Sequence, residues 1–284
     1  MTSGSLTVVG TGIQMGQVTL QAQAYIQSAE KLLFLVADAL TYDWLCRANP
    51  TAESLHGFYT DTDYRLPMYN NMVERILECV REGNSVCVAF YGHPGVFVYP
   101  SHEAIKRARH EGYKAKMLPG VSAEDCLFAD IGIDPGTAGC QSFEATSFAL
   151  YRPSISSFVP LILWQIDSIG DLGYSFDPSP NKQNLQIIVD LLASYYGMSH
   201  EVIIYEAAQF PVSDPGIQRT PLEQLPDTPM TGISTLYVPP MPQPDPDKDM
   251  VDRLGISDSL AELRSAAIQS SFVTGSGDKP QKDN

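Results

Sequence analysis

The chain has 284 residues, of which 44% are hydrophobic, and it carries 18 Lys plus Arg against 33 Asp plus Glu, a formal net charge of −15. That length buries a sizeable core as one large domain or two small ones, and the acidic balance excludes a nucleic-acid partner, because phosphate backbones are bound by basic surfaces. The five cysteines (Cys46, Cys79, Cys87, Cys126 and Cys140) form no CxxC pair and the five histidines are scattered, which points to reduced thiols of a cytoplasmic protein and to no metal site.

The N-terminus "MTSGSLTVVG" has neither a basic flank nor an apolar h-region, so no signal peptide is expected. Within it "SLTVVG" (5–10) reads as a short apolar strand ending in glycine. "QVTLQAQAYIQSAE" (17–30) reads as a helix, "KLLFLVAD" (31–38) as a second buried strand, and "ESLHGFY" (53–59) as a short third strand running into a loop. In "PMYNNMVERILECVREG" (67–83) Met68, Met72, Ile76 and Val80 recur every four residues with Leu77 alongside, one apolar helix face. Pro67 suits its first turn and Gly83 the position just past its end. "SVCVAFYG" (85–92) is the fourth strand, "SHEAIKRARHEG" (101–112) a helix and "YKAKML" (113–118) the fifth strand. Strands alternating with helices predict a parallel α/β sheet.

After "PGVSAEDCLFADIG" (119–132) the rhythm changes. Strand-like pieces at 140–146, 159–166, 201–208, 216–225 and 232–240 dominate, with one clear helix at 181–197. The expected organisation is a parallel α/β domain at 1–120, a mixed α/β domain at 121–240 and a tail at 241–284. The tail is rich in proline and charge, is helical through "DSLAELRSAAIQ" and ends in a disorder-prone "GSGDKPQKDN". No apolar run approaches the ~20 residues of a membrane span.

Glycine loops carry the functional signal. "VGTGIQMGQ" places Gly10, Gly12 and Gly16 between a strand and a helix, with Asp38 at the end of the next strand, where a ribose-binding acid sits in dinucleotide sites. The spacing is GxGxxxG, however, and a single glycine fingerprint also fits a bare turn. "YGHPGVF" (91–97) and "PGVSAED" (119–125) leave the same sheet edge, the edge where open α/β sheets bind ligands. Three such loops followed by a second domain describe a ligand cleft between domains.

At this point the chain resembles a known family. "LTVVGTGI", "YGHPGVFVYPSHEAI", "LPGVSAEDCLFADIGIDP" and "GISTLYVPP" together resemble the tetrapyrrole-methylase superfamily, and within it the borosin peptide backbone α-N-methyltransferases. The resemblance spans about residues 5–240. It implies the two-domain class III S-adenosylmethionine methyltransferase fold and α-N-methylation of backbone amides in a ribosomal precursor peptide. It also implies a homodimer in which one subunit covers the other's site. Borosin enzymes of fungi carry their substrate as a C-terminal core peptide. The nearest candidate here, "AIQSSFVTGSG", is short and polar, which suggests a separate precursor peptide.

Methylating an amide is physically demanding. The nitrogen lone pair is delocalised into the carbonyl, so a base, a cation or donor at the oxygen, and alignment with the methyl group are all needed. "FYTDTDYRLPMY" (58–69) offers Arg65 just before a helix and Tyr69 one turn on, able to share a face. By resemblance the catalytic set is Tyr59, Arg65, Tyr69 and Tyr91. A guanidinium beside a phenol lowers its pKa from ~10, so a tyrosinate base is expected, and Arg65 is the alternative stabiliser of the imidate oxygen. Surface positions for Tyr59, Arg65 and Tyr69 are the bland reading of the same residues. The resemblance assigns cofactor contacts to Tyr91, His93, Val96, Phe97, Ser122, Ala123, Gln165, Ala208, Ser234 and Thr235. His93 alone also reads as a structural histidine. A porphyrinoid methyltransferase, a nicotinamide-dependent oxidoreductase built on Asp38, and a non-catalytic peptide-binding module are the alternatives.

Overall fold

A computed structural model describes residues 4–60, 64–173 and 181–257. The first sheet begins with β1 (Ser5–Gly10), followed by α1 (Leu20–Ser28), β2 (Lys31–Leu35), α2 (Ala39–Ala48), β3 (Glu53–Ser54), α3 (Leu66–Arg81), β4 (Ser85–Phe90), α4 (Tyr99–His110) and β5 (Lys114–Met117). Its strands run in the order β3-β2-β4-β1-β5, all pairs parallel. The central strands are buried on both faces, which is why they read as continuous apolar runs. Alternate residues supply two cores. Leu6, Val8, Leu33, Val88 and Phe90 pack with Met72, Ile76 and Val80 of α3 and Ala104 and Ala108 of α4. Val9, Leu32, Phe34, Cys87 and Ala89 pack with Ala22 and Ile26 of α1 and Leu45 of α2.

The second sheet follows α5 (Ala123–Ile131) and α6 (Pro135–Ala138). It is built from β6 (Gln141–Glu144), α7 (Ala145–Tyr151), β7 (Leu161–Trp164), α8 (Lys182–Tyr196), β8 (Glu201–Glu206), β9 (Gly216–Pro221) and β10 (Thr235–Val238). Its order is β6-β7-β10-β8-β9, with β6 and β7 parallel and the other pairs antiparallel. Leu185, Ile188, Val189 and Leu192 of α8 pack on Leu161, Leu163, Val202, Ile204 and Leu236. The chain divides after Met241. Among the described residues beyond that point lies one helix, α9 (Lys248–Leu254), with Asp247 capping its start and Gly255 in left-handed conformation (φ 65°) at its end. The helix expected in "DSLAELRSAAIQ" lies outside the described residues.

The α/β architecture agrees with the sequence expectation, and local detail departs from it. The first helix starts at Leu20, where Thr19 accepts from Ala22 N–H; a 3-10 turn fills Met15–Gln17. The third strand shrinks to Glu53–Ser54, and Leu55–Phe58 forms a 3-10 turn. Helix α2 was not anticipated, because it buries only Thr41 and Leu45 and shows no apolar stripe. The expected strand at 140–146 stops at Glu144, whose carboxylate caps α7 through the N–H groups of Thr146 and Ser147. The piece at 216–225 leaves the sheet at Pro221 and continues as a 3-10 turn.

Helix α3 is tied to the sheet edge by charge as well as packing. Glu53 takes Arg75 Nε at 2.7 Å, Arg75 Nη2 at 2.8 Å and Lys31 Nζ at 2.6 Å. The Arg75 hydrogen bonds, with Lys31 adding and burial opposing, hold its pKa down at about 2. A depressed carboxylate contributes stability above its usual pKa and loses it as pH falls toward the folded value. Partly exposed pairs of this kind contribute about 1 kcal/mol. Glu53→Gln is expected to lower the melting temperature at pH 7 by about 2–4 °C. In thermal denaturation at stepped pH, the gap to wild type should close between about pH 4.5 and pH 2. A gap that does not change with pH would exclude the ion pairs as its source.

Candidate active site

Because β1, β4 and β5 are neighbours and parallel, the chain leaves all three at one edge, and the three glycine loops meet there. Gly92 N–H donates to Gly12 O at 2.8 Å and Gly12 N–H to Gly92 O at 3.3 Å. Both residues are left-handed, at φ 74° and 68°, a conformation natural to glycine. A Cβ on Gly10 would lie 2.3 Å from Gly92 O and 2.8 Å from Pro94 Cδ, and one on Gly120 would lie 3.1 Å from Gly92 O. Gly16, by contrast, faces open space. The packing therefore uses Gly10, Gly12, Gly92 and Gly120, and not the GxGxxxG triplet.

The 91–97 loop is braced from behind. Ser101 Oγ donates to the carbonyls of Pro94 and, at 2.9 Å, of Val98. His93 Nδ1 accepts from Gly95 N–H at 2.9 Å, which spends one ring nitrogen on the loop itself and supports the structural reading of this histidine. Val96 and Phe97 stand exposed at the tip. Phe97 adopts φ 55°, and its ring lies 5.9 Å from Trp164 at the end of β7. The next residue, Gln165, is exposed and also left-handed at φ 55°. Two non-glycine residues in this region, one from each sheet, mark a strained junction.

Other contacts close the same cleft. Gln14 Nε2 donates to Ala208 O at 3.3 Å, and Gln17 Nε2 approaches Cys126 Sγ at 3.4 Å. Ser122 is the N-cap of α5 in a reciprocal box with Asp125, and half-buried Ala123 follows it. Ser234 is buried, donates to Glu206 Oε1 at 2.5 Å and accepts from Thr231 N–H at 2.9 Å. Thr235 is buried in β10 opposite Tyr205. The predicted cofactor residues thus come from loop tips and strand ends of both sheets.

The Tyr/Arg residues form a second cluster. Arg65 sits immediately before α3, and Tyr69 N–H donates to Arg65 O at 3.2 Å, the one-turn relation expected. The Tyr69 ring stacks on Tyr99 with centroids 6.1 Å apart at 28°. Together with Tyr64, Leu66 and Leu172 they line a cavity of about 340 Å³. Arg65 is held from the other sheet: its backbone N–H donates to Leu172 O at 3.1 Å and its Nε to Gly173 O. Tyr59 is half-buried and packs, like Tyr69, on the α3 core. Burial pushes the Tyr91 phenol above its ordinary pKa, and the Tyr69 charge adds to the rise. Tyr91 as a whole is 50% exposed.

Sequence reasoning missed Tyr99, Trp164, Asp167 and Glu206. Tyr99 had a signal, as the next tyrosine after Tyr91 in "YGHPGVFVY"; the others are joined to the site only by folding. The proposed ribose acid is corrected: Asp38 caps α2, accepting from Thr41 N–H at 2.8 Å, so its carboxylate is committed to a helix end. Among the described residues no group of three or more His, Cys, Asp or Glu is placed to hold a metal, and no helix is long and apolar enough to cross a membrane.

Comparison with known proteins follows this geometry. Residues 5–226 match the Tetrapyrrole (Corrin/Porphyrin) Methylases family. The chain belongs to this family. It is 42% identical over 257 residues, 89% of its length, to a methyltransferase/ribosomally synthesized cyclic peptide gymnopeptides precursor of Gymnopus fusipes. It is also 42% identical over 245 residues, 84% of its length, to a methyltransferase/type I borosin cyclic peptide precursor of Coprinopsis marcescibilis. The chain spans 61% and 62% of the lengths of these relatives. A solved uroporphyrin-III C-methyltransferase of Thermus thermophilus superposes with a TM-score of 0.60 at 18% identity, covering 84% of this chain and 93% of that one. That likeness establishes the family's fold.

The glycine contact is directly testable. Gly10→Ala must force the β1 and β4 loops apart, at an overpacking cost of about 1–3 kcal/mol. Gly16→Ala meets nothing within 4 Å and should stay within about 0.5 kcal/mol of wild type. Chemical denaturation of both variants checks the contrast; equal stability would mean that the three loops do not pack as described.

Proposed function

We propose that this chain is a methyltransferase that moves the methyl group of S-adenosylmethionine to backbone amide nitrogens of a precursor peptide. The observation that carries the reading is the Arg65–Tyr69–Tyr99 cluster, with Tyr91 beside it. It lies next to a glycine-floored cleft in a chain 42% identical to methyltransferase/peptide precursors. S-adenosylmethionine, when bound, supplies an electrophilic methyl group on a sulfonium. The 91–97 loop tip offers such a molecule exposed Val96 and Phe97. Gln165 supplies an exposed polar side chain, while Ser234 and Thr235 are buried and the Ala208 carbonyl is taken by Gln14. The cleft lies between the halves 1–120 and 121–240.

Each residue has a distinct task in this reading. Arg65 faces the amide oxygen and stabilises the imidate that forms as the nitrogen loses its proton. One phenol of the pair Tyr69 and Tyr91 takes the amide proton and the other donates a hydrogen bond. Tyr59 supports the wall beside Tyr69. The likeness to borosin enzymes also supports a homodimer, and the free thiols support a cytoplasmic setting.

Calorimetry should detect S-adenosylmethionine and its demethylated product but neither NAD nor NADP. Arg65→Lys, which keeps charge but loses the planar fork, and Tyr69→Phe should each slow methylation of a competent peptide by about 100-fold or more. Donor affinity should stay within about threefold of wild type, because neither group is assigned to the donor. Near wild-type turnover by Arg65→Lys would remove it from the mechanism. The 284-residue protein expressed without a precursor should have an unmodified intact mass, and truncation after residue 256 should leave activity on added peptide largely intact. Methyl increments on backbone nitrogens within 257–284 would make the chain its own substrate.

A further inference from the structure

Tyr99 lines the Arg65 cavity but has no part in the chemistry assigned to Arg65, Tyr69 and Tyr91. It is the first residue of α4 and follows directly on the loop that carries Val96 and Phe97. Its backbone has little freedom. Val98 stands before it at the helix N-cap and Pro100 comes next in the first turn, and a proline restricts the residue that precedes it. Buried Ser101 donates from Oγ to the carbonyls of Pro94 and, at 2.9 Å, of Val98, and from its N–H to Val98 O at 3.2 Å. His102 Nε2 donates to Gly95 O at 2.9 Å. The first turn of α4 therefore grips the loop at the carbonyls of Pro94, Gly95 and Val98. From this anchored start the Tyr99 ring reaches α3, where its centroid lies 6.1 Å from that of Tyr69 with the planes 28° apart. Tyr69 itself is half-buried and packs on the core beneath α3.

Helix α3 fixes the backbone of Tyr69, but the phenol oxygen lies at the far end of a side chain that turns about two bonds. A nearly parallel neighbouring ring restricts that turning through an offset stack. We propose that Tyr99 is a positioning residue that holds the Tyr69 ring in register with the loop after β4. Methyl transfer to an amide needs the phenol, the amide plane and the methyl group in one alignment. Tyr69 is delivered by α3, whereas Val96 and Phe97 are delivered by the loop after β4. Tyr99 is joined to that loop by the chain and by the Ser101 and His102 hydrogen bonds, and to Tyr69 by the stack. The stack needs a ring and not a hydroxyl, which separates this role from proton transfer by Tyr99 itself. The inference rests on the reading of Tyr69 as a group that acts on the amide.

Tyr99→Phe keeps the ring and removes the hydroxyl, whereas Tyr99→Leu removes the ring. Tyr99→Leu should lower kcat on a competent peptide by about tenfold or more. The KM for peptide and the affinity for S-adenosylmethionine should stay within about threefold of wild type. Tyr99→Phe should retain kcat to within about twofold. Equal losses in the two variants would make the hydroxyl the working group and overturn the proposal. Kept kcat in Tyr99→Leu, with or without a raised KM, would overturn it as well, leaving the ring a packing element or a peptide platform. In a Tyr69→Phe background Tyr99→Leu should change kcat by less than about twofold, because the oxygen it places is gone; the full loss in that background would reject the coupling. Tyr99→Met serves as a second ring-free variant should Tyr99→Leu fail to fold. A further measurement needs no turnover. The ring resonances of Tyr69 in the unliganded protein, identified by their loss in Tyr69→Phe, should stay sharp in Tyr99→Phe and broaden in Tyr99→Leu as the ring samples further rotamers. Sharp lines in both variants would reject the proposal. If wild type neither binds S-adenosylmethionine nor methylates peptide, the functional reading fails, and the line widths still decide whether Tyr99 orders Tyr69.

Discussion

Backbone lying on backbone at Gly10, Gly92 and Gly120 is the constraint from which the rest of the cleft follows. Any side chain at Gly10 would occupy the space of the Gly92 carbonyl and the Pro94 ring. With no Cβ there, three neighbouring strands can deliver their loops to one point, and the Gly12–Gly92 bridge locks two of them. The locked loop then presents a fixed tip. Ser101 and His93 secure its base and its turn, so Phe97 can be held at φ 55° against Trp164. Strain at the tip is tolerated because the base is over-determined. The floor of the cleft is thus a consequence of packing that an inserted methyl group would undo.

The second sheet contributes restraint of a different kind. It grips Arg65 through main-chain carbonyls of Leu172 and Gly173. The Gly173 carbonyl, on Nε, holds the guanidinium without neutralising it, whereas a direct carboxylate pair would compete with any developing oxyanion. The buried Asp167 feels both the Arg65 and the Glu206 charge, in opposite senses. A chain of net charge −15 therefore keeps a cation available in the cleft. Tyr91 is half exposed overall, and burial draws its phenol upward in pKa, with the neighbouring Tyr69 contributing.

What was legible in the sequence was whatever depends on local pattern. The buried parallel strands announced themselves as apolar runs and α3 by its four-residue spacing. The close relation of Arg65 and Tyr69 followed from helix geometry. What failed was of two sorts. Helix α2 and the short α7 bury few residues, so no periodicity betrays them, and their ends are set by side-chain caps at Asp38 and Glu144. Asp38 illustrates the cost of a motif read without its context: a carboxylate at a strand end serves a helix cap as well as a ribose. Asp167, Glu206 and Trp164 stand some 100 residues or more from Arg65 in sequence. They reach the site only because the second sheet folds over the first, and spacing carries no trace of that.

The shape of the rim bears on the kind of acceptor the cleft suits. A backbone amide offers the same plane, the same N–H and the same carbonyl at every residue of a peptide, so a catalyst acting on it must hold that plane firmly and the flanking side chains loosely. The cavity beside Arg65 has this division. Its inner side is ordered by the Tyr69–Tyr99 stack and by Arg65 fixed on two carbonyls. Its outer side is formed by Tyr64, Leu66 and Leu172, all more than half exposed. Apolar, water-facing walls of this sort give contact area without a directional demand, so they accept side chains of varied shape. Specificity for the amide, on the proposed reading, resides in a few oriented polar groups, and tolerance of sequence in the exposed leucines and Tyr64. On the proposed reading, those three positions are where acceptor preference can change while the chemistry stays the same.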